Sequence, residues 1–168
     1  GLTGLQTCQG RADALPFAEA SFDLVATRFS AHHWLDVPAA LREIRRVIRP
    51  DGALIVIDAV APESPLCDTV LQTVELLRDA SHVRDYRVTE WHEMLRQAGF
   101  AASETEVWPL TMEFASWVAR MRTPELRVQA IRDVLARAPQ EVRETMLVQG
   151  DGSFDLPVAW MLASPSVG

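Results

Sequence analysis

The chain has 168 residues, of which 48% are hydrophobic and 23% are charged, and these proportions are ordinary for a globular protein. Its formal net charge of -7 argues against nucleic acid as a partner, and no apolar run approaches the roughly 18 residues of a membrane span. All 16 basic residues are arginine, which excludes chemistry that uses a lysine side chain of this chain. We expect one cytoplasmic domain over residues 1–168, with no nucleic-acid or membrane partner.

The first strands are predicted from short apolar runs. Residues 2–9 are a weak strand candidate, and residues 10–21 form a loop that contains Gly, Pro and Ser. Residues 22–29, FDLVATRF, are a stronger candidate because they are short, apolar and rich in residues that favour strands. Residues 53–60, ALIVIDAV, form the continuous apolar run typical of a strand buried on both faces of a parallel sheet.

A helix is predicted between these two strands. Asp36 is a suitable N-cap, Pro38 fits the first turn, and apolar residues recur at helical spacing up to Ile48. The segment RPDG at 49–52 ends this helix, and Gly52 permits a positive φ. Strand, helix and strand in this order predict a βαβ unit.

The rest of the chain predicts more helices and two strands. We expect helix 66–80 to bury the face that carries Leu66, Val70, Val74 and Leu77. The other predicted elements are a helix capped near Thr89 and ended by Gly99, a strand at 100–108, helices at 112–122, 124–137 and 140–148, and a strand at 154–165.

Five sequence blocks in a fixed order carry a family resemblance. Between Gly10 and Asp58 the chain reads GRADALPF, SFDLV, HHWLD, ALREIRRVIRPDG and ALIVID. This stretch resembles a class I S-adenosylmethionine-dependent methyltransferase of the UbiE/COQ5-like kind (methyltransferase domain type 11). LCDTVLQTVELLRDASHVRDY, EWHEML and FASWVARMRTPE, which follow Asp58, resemble the YafE-like branch.

The resemblance implies an α/β fold, the C-terminal part of a Rossmann-like class I methyltransferase, with a mostly parallel sheet and helices on both faces. It implies a sheet core in 1–60, a helical substrate-side region in 61–150, and a final strand and tail in 151–168. The family's Gly-rich loop has no counterpart in the printed sequence, which begins about where the third strand of the family is expected. We therefore expect an N-terminally truncated domain whose affinity for the cofactor is weak on its own.

The resemblance also assigns residues to the cofactor, S-adenosylmethionine. The cofactor-side residues that it implies are Arg11, Ala12, Arg28, Phe29 and Ser30. Arg11 stands where the family usually has an aspartate, and a purely structural role for that loop is an open alternative. Ligands of open α/β sheets bind beyond the carboxyl ends of strands, which is where residues 28–30 are expected.

The acceptor, a small molecule, is expected beside the histidine pair. His33 is the catalytic candidate, because a histidine can accept a proton near neutral pH. The substrate-side candidates are His32, Trp34, His82, Arg84 and Tyr86. The alternatives are that His32 and His33 pack against the next helix, and that residues 78–86 form a solvated connector. No metal is expected, because adjacent histidines project in different directions and no second ligand pair follows.

The function expected from the resemblance is methyl transfer to a small acceptor, once the missing N-terminal half is supplied. The alternative is a non-catalytic relative that serves as a small-ligand-binding or dimeric structural module. Without the first two strands of the family, strand 22–29 would be a sheet edge, and an apolar edge favours pairing with another chain. We therefore expect a homodimer that covers this edge, unless residues 2–9 cover it instead.

Overall fold

The computed structural model describes residues 4–166 as alternating strands and helices around one sheet. The strands are β1 (Phe22–Arg28), β2 (Ile48–Ala59), β3 (Phe100–Met112) and β4 (Phe154–Pro165). The helices are α1 (Val37–Val47), α2 (Pro65–Arg78), α3 (Val88–Gln97), α4 (Phe114–Arg120), α5 (Glu125–Ala136) and α6 (Gln140–Thr145). A single 3-10 turn, Ala31–His33, lies between β1 and α1.

The sheet has the strand order β1-β2-β4-β3. β1 pairs with β2 in parallel, through the crossover helix α1, whereas β4 is antiparallel to both β2 and β3. Three strands therefore run in one direction and β4 runs in the other. The α/β, Rossmann-like class is confirmed, although the described residues contain one parallel pairing and two antiparallel ones. The reason is that β4 inserts between β2 and β3 against their direction.

Helices α1 and α3 cover one face of the sheet. Asp36 caps α1 as predicted, since its side chain accepts a hydrogen bond from the Ala39 N–H at 2.8 Å. Leu41 and Ile44 of α1 and Trp91 of α3 pack in the same core cluster as Leu54 of β2. This core fixes the strand ends from which the loops of the candidate site emerge.

Helices α2, α4, α5 and α6 cover only part of the other face. Leu71, Trp117 and Ile131 pack in a second cluster with Phe154 and Leu156, near the start of β4. Farther along the same face, Ile55, Ile57, Trp160 and Leu162 are only half-buried. Helices therefore lie on both faces, as expected, but they leave part of the second face open among the described residues.

Three local predictions were wrong. Residues 4–9 form no strand, and residues 2 and 3 of that prediction lie outside the described part of the chain. The RPDG segment belongs to β2 instead of a separate turn, because the start of β2 pairs with Phe22. Gly52 does not have the positive φ that we expected. A Cβ there would lie 2.8 Å from the Asp23 carbonyl oxygen, so close backbone approach requires the glycine.

The buried face of α2 also differs from the prediction. Leu66 is 40% exposed, whereas Cys67, Leu71, Asp68 and Glu75 are buried. The cause is that α2 directs two carboxylates inward, which an apolar periodicity does not detect.

Two searches of the described residues give negative results. Within residues 4–166, no helix is long and apolar enough to cross a membrane. No group of three or more His, Cys, Asp or Glu side chains in the same range is placed to hold a metal ion.

Candidate functional site

A cavity of about 310 Å³ opens beside the carboxyl ends of β1 and β2. One wall is apolar and aromatic, with Met112, Trp117 and Leu156. A polar wall, which meets the apolar one where Arg78 lies over the Trp117 ring, carries His32, His33, Glu75, Arg78, Asp79 and Asp85. Because the ends of parallel strands are the usual ligand position in open α/β sheets, this cavity is the best candidate site in the described part of the chain.

Asp58 organises the loop that follows β1. It lies near the end of β2 with no exposed surface. One carboxylate oxygen accepts hydrogen bonds from the backbone N–H groups of Ser30 and Ala31, at 3.1 and 2.7 Å. The other accepts from the Ala59 N–H at 2.9 Å and lies 2.5 Å from Nδ1 of His32. One buried side chain therefore holds both the turn after β1 and the imidazole that it carries.

The ionisation of His32 follows from its position beside Asp58. The His32 side chain is 14% exposed and lines the cavity. Burial by itself lowers the pKa of His32, but the hydrogen bond and negative charge of Asp58 outweigh it and raise the pKa overall. His32 is therefore available as a proton acceptor or donor near neutral pH.

His33 has different partners, all from the loop after α2. Its Nδ1 lies 3.1 Å from the Ser81 carbonyl oxygen, and its Nε2 lies 4.0 Å from a carboxylate oxygen of Asp79. Asp79 in turn accepts hydrogen bonds from the backbone N–H and hydroxyl of Ser81, at 2.8 and 2.7 Å. His33 thus connects the turn after β1 to the loop after α2.

Two buried carboxyl groups border the cavity near Arg78. Burial and the charge of Glu75 raise the pKa of Asp85 to about 8. Burial also raises the pKa of Glu75, although Arg78 lies 3.7 Å from it. Within residues 4–166, one carboxyl oxygen of Asp85 is buried without a hydrogen-bond partner. The polar wall therefore includes one carboxyl group, that of Asp85, that is protonated at neutral pH and can donate a hydrogen bond.

His82 lies behind this wall. Its Nε2 is 2.9 Å from the side-chain oxygen of Gln72, which also accepts from the Asp85 backbone N–H at 3.1 Å. The His82 ring centroid lies 6.0 Å from that of His32. Burial, together with the charges of His32 and His33, lowers the pKa of His82 to about 4. His82 is thus a neutral neighbour of the site and does not line the cavity.

Two of the five residues predicted for the cofactor, Arg11 and Ala12, border a second, smaller depression. It has a volume of about 180 Å³, and Arg11 and Ala12 lie in it with His33 and Trp34. His33 borders both hollows, which makes them neighbours. Arg11 is held by Asp13 through two hydrogen bonds, at 2.8 and 2.6 Å.

The predicted residues 28–30 lie at the rim of the larger cavity. Phe29 lines it and adopts a positive φ of 47°, a strained conformation for a residue with a side chain. The Arg28 guanidinium is 4.7 Å from the Phe29 ring centroid. Ser30 accepts a hydrogen bond from the Trp34 indole N–H at 3.1 Å and does not line the cavity.

Two of the predicted substrate-side residues lie elsewhere. Arg84 donates to Asp68 at 2.9 Å and lies 3.6 Å from Glu90, so its charge is neutralised by ion pairs. Tyr86 packs against Trp91 of α3 with ring centroids 6.2 Å apart. Neither lines the 310 Å³ cavity. Asp85, which lies between them in the chain, does line the cavity, so the side chains of its two neighbours are directed away from the site.

Sequence reasoning missed most of the polar wall. Asp58 had one usable signal, a carboxylate that ends a run of apolar strand residues. Asp85 also had a weak signal, because it lies inside the connector that we singled out. Glu75 and Arg78 had none, because charged residues on a predicted amphipathic helix normally face solvent.

Known proteins resemble the chain over most of its length. A family described as a methyltransferase domain matches residues 1–56. The uncharacterized protein YafE of Escherichia coli (strain K12) is 50% identical over 153 residues, which are 91% of this chain and 74% of YafE. The solved structure of YcgJ from Bacillus subtilis has a TM-score of 0.91 at 35% identity, over 96% of this chain and 71% of that one.

A third relative, from Bacillus halodurans C-125, is described as a candidate methyltransferase. Its solved structure has a TM-score of 0.93 at 30% identity, over 97% of this chain and 78% of its own. The chain belongs to the class I S-adenosylmethionine-dependent methyltransferases. In this methyltransferase the cavity lies at the carboxyl ends of β1 and β2, beside the histidine pair.

Proposed function

We propose that this methyltransferase transfers a methyl group from S-adenosylmethionine to a small acceptor bound in the 310 Å³ cavity. One observation carries the proposal. Asp58 fixes the turn after β1 so that the histidine pair faces a cavity with one apolar and one polar wall. A cavity with these two walls suits a small organic molecule that carries a few polar groups.

The described residues fit part of the cofactor. Trp34 and Ala12 border the smaller depression and offer the flat, apolar surface that a purine ring needs. The two carboxylates nearby are engaged, since Asp13 is paired with Arg11 and Asp36 caps α1. When bound, the cofactor supplies an electrophilic methyl group on a positively charged sulfur.

The histidine pair lies where the two hollows meet. His33 borders both, so our prediction that it is catalytic stays a prediction with a suitable location. The side chains of Phe29 and Trp117 exclude water from the apolar wall, and Asp58 preorganises the turn. Alignment of two reactants in this way contributes a large part of the rate enhancement in direct transfer reactions.

Calorimetric titration of the chain with S-adenosylhomocysteine tests the proposal. We expect weak binding, because the printed sequence has no Gly-rich loop. The variant Trp34→Ala should weaken it further, whereas Trp108→Ala, on β3 away from both hollows, should not. An absence of heat at millimolar ligand would count against methyl transfer by this chain alone.

A second candidate function is a non-catalytic, dimeric module that binds a small ligand. The specific observation is the edge strand β1, which pairs only with β2 within residues 4–166 and whose Leu24 is 53% exposed. An exposed apolar edge favours pairing with a second copy. Light scattering at micromolar concentration would give a dimer mass, and Leu24→Lys would shift it toward monomer. A wild-type monomer would refute the dimer.

A further inference from the structure

The two adjacent histidines differ in which ring nitrogen is available. The Nδ1 of His32 lies 2.5 Å from a carboxylate oxygen of Asp58. A carboxylate only accepts hydrogen bonds, so Nδ1 carries the proton and the lone pair of the neutral ring is on Nε2. Among the described residues, no side chain or backbone group hydrogen-bonds this Nε2, and the ring lines the cavity. His32 therefore presents a proton-accepting nitrogen to whatever the cavity holds.

His33 does not present one. Its Nδ1 is directed at the Ser81 carbonyl oxygen, 3.1 Å away, and its Nε2 is 4.0 Å from an oxygen of Asp79. The Ser81 hydroxyl also lies 3.3 Å from Nδ1. The 4.0 Å separation at Nε2 is too long for a hydrogen bond, but it places a carboxylate beside this nitrogen, and a carboxylate there favours the protonated ring. A histidine held in this way joins two loops and is poorly placed to take a proton from a ligand.

The volume and the lining of the cavity limit which molecules can bind there and donate a proton to Nε2 of His32. A volume of about 310 Å³ suits a small molecule with one ring or a short chain. Trp117, Met112 and Leu156 form the wall against which an apolar body packs. Asp85 also lines the cavity, and its buried carboxyl oxygen has no hydrogen-bond partner among the described residues.

We propose that His32 is the general base of this site, that Asp58 is its positioning residue, and that the acceptor is a small amphipathic molecule whose reacting O–H or N–H donates to Nε2 of His32. This inference rests on the proposed methyl transfer and names its acceptor class. The acceptor's proton passes to Nε2, and the electron pair of the broken O–H or N–H bond stays on the heteroatom. A lone pair of that heteroatom forms the new bond to the methyl carbon, and the electrons of the carbon–sulfur bond leave with sulfur. The imidazolium later releases its proton to water.

The charge environment of His32 is shared among several elements. Its titratable neighbours are Asp58 on β2, Glu75 on α2, His33 on the same turn, and His82 and Asp85 on the loop after α2. Asp58 is the one that is hydrogen-bonded to the ring. Loss of its negative charge should therefore change the titration of His32 more than the loss of any other neighbour.

Nuclear magnetic resonance of the chain labelled with ¹⁵N at histidine tests the base directly. The probes are 4-hydroxybenzaldehyde, which carries an acidic O–H, and 4-methoxybenzaldehyde, which has the same body without it. We expect the phenol, but not the ether, to shift the Nε2 resonance of His32. His32→Asn, whose amide can still donate to Asp58, should weaken phenol binding about tenfold and leave ether binding unchanged. His92→Asn is the matched control, because His92 lies on α3 and pairs with Thr105.

A second measurement follows the titration of His32 without any ligand. In the wild type its apparent pKa should lie above the ordinary value of 6.5, and in Asp58→Asn it should fall. Circular dichroism establishes whether Asp58→Asn is folded, and the wild-type probe experiment decides the question if it is not. The proposal is overturned if the phenol shifts His33 instead of His32, if neither histidine responds, or if His32→Asn weakens the binding of the ether as much as the binding of the phenol.

These outcomes separate the inference from the proposed function. Binding of S-adenosylhomocysteine without a response of His32 to the phenol would retain methyl transfer and reject His32 as the base. A response of His32 without cofactor binding would retain the acceptor site and reject methyl transfer by this chain alone.

Discussion

Replacement of Asp58 by alanine should destabilise the protein strongly, because one side chain satisfies four donors. The backbone N–H groups of Ser30, Ala31 and Ala59 donate to its two oxygens, and the imidazole of His32 lies 2.5 Å away. Asp58 and Ala31 are completely buried, so water does not reach these donors without rearrangement of the turn. The variant Asp58→Ala leaves all four groups without their acceptor.

The size of the effect can be bounded from these contacts. A buried donor that loses its partner costs roughly 1–3 kcal/mol, and removal of one member of a buried ion pair costs about 3–5 kcal/mol in total. We expect a total loss in the lower range, about 3–5 kcal/mol, because the turn after β1 can rearrange partly and give some of these donors new partners. For a domain of this size a loss of about 3–5 kcal/mol corresponds to a decrease in Tm of roughly 6–20 °C.

Urea denaturation at pH 7, followed by circular dichroism, measures the change in the free energy of unfolding. The control is Asp133→Ala, because Asp133 is an exposed carboxylate whose hydrogen-bond partner is Arg137, four residues further along α5. That variant should leave the unfolding midpoint nearly unchanged. A loss below about 1 kcal/mol in Asp58→Ala would show that Asp58 does not organise the turn, and the reasoning on the site would fail with it.

Three further substitutions test other parts of the structure. Because the pKa of His82 is lowered to about 4, the unfolded chain takes up a proton below pH 6.5 that the folded protein does not, so stability falls from pH 6.5 to 4. His82→Gln should make the decrease in the free energy of unfolding between pH 6.5 and pH 4 smaller by about 2–3 kcal/mol, as measured by urea titrations at the two pH values. An unchanged pH dependence of stability would contradict the lowered pKa. Because the pKa of Asp85 is raised to about 8, its contribution to stability is lost as pH rises from 3.8 to 8. Asp85→Asn should gain about 5 kcal/mol over the wild type at pH 8 relative to pH 4, and equal stabilities at both pH values would refute this. Gly52→Ala should lower the free energy of unfolding by about 1–3 kcal/mol, since its Cβ meets the Asp23 carbonyl oxygen; a neutral result would contradict the close approach.

Strands β2 and β4 and helix α1 were the most predictable part of the fold. Their signals are local: an apolar run for β2, the cap at Asp36 for α1, and a final run whose bounds, 154–165, match β4. The strand order was less accessible, because β4 reaches its place between β2 and β3 through contacts that no local pattern specifies. Pro157 lies within β4 opposite Pro109 of β3, and the pairing of β4 with β2 begins only at Val158, so the missing N–H of Pro157 removes no bond of the β2–β4 ladder.

The polar wall of the site was the least predictable part. Glu75 is buried on a helix whose apolar spacing suggested a different inward face. The partners of His33 are 48 residues away in the chain, in a loop that carries no motif of its own. Such contacts depend on how α2 packs on the sheet, and packing of this kind overrides the local preference of each residue.

The histidine pair shows why residue type and position in a loop do not fix a chemical role. His32 and His33 follow the same strand and have the same side chain, and sequence reasoning placed the catalytic role on His33. The structure gives His32 a buried carboxylate from β2, and it directs both nitrogens of His33 at the loop after α2. A histidine acts as a base when a partner holds one nitrogen and leaves the other open. By that criterion the role proposed for His32 depends on Asp58, which lies on another strand, whereas the catalytic role predicted for His33 stays a prediction.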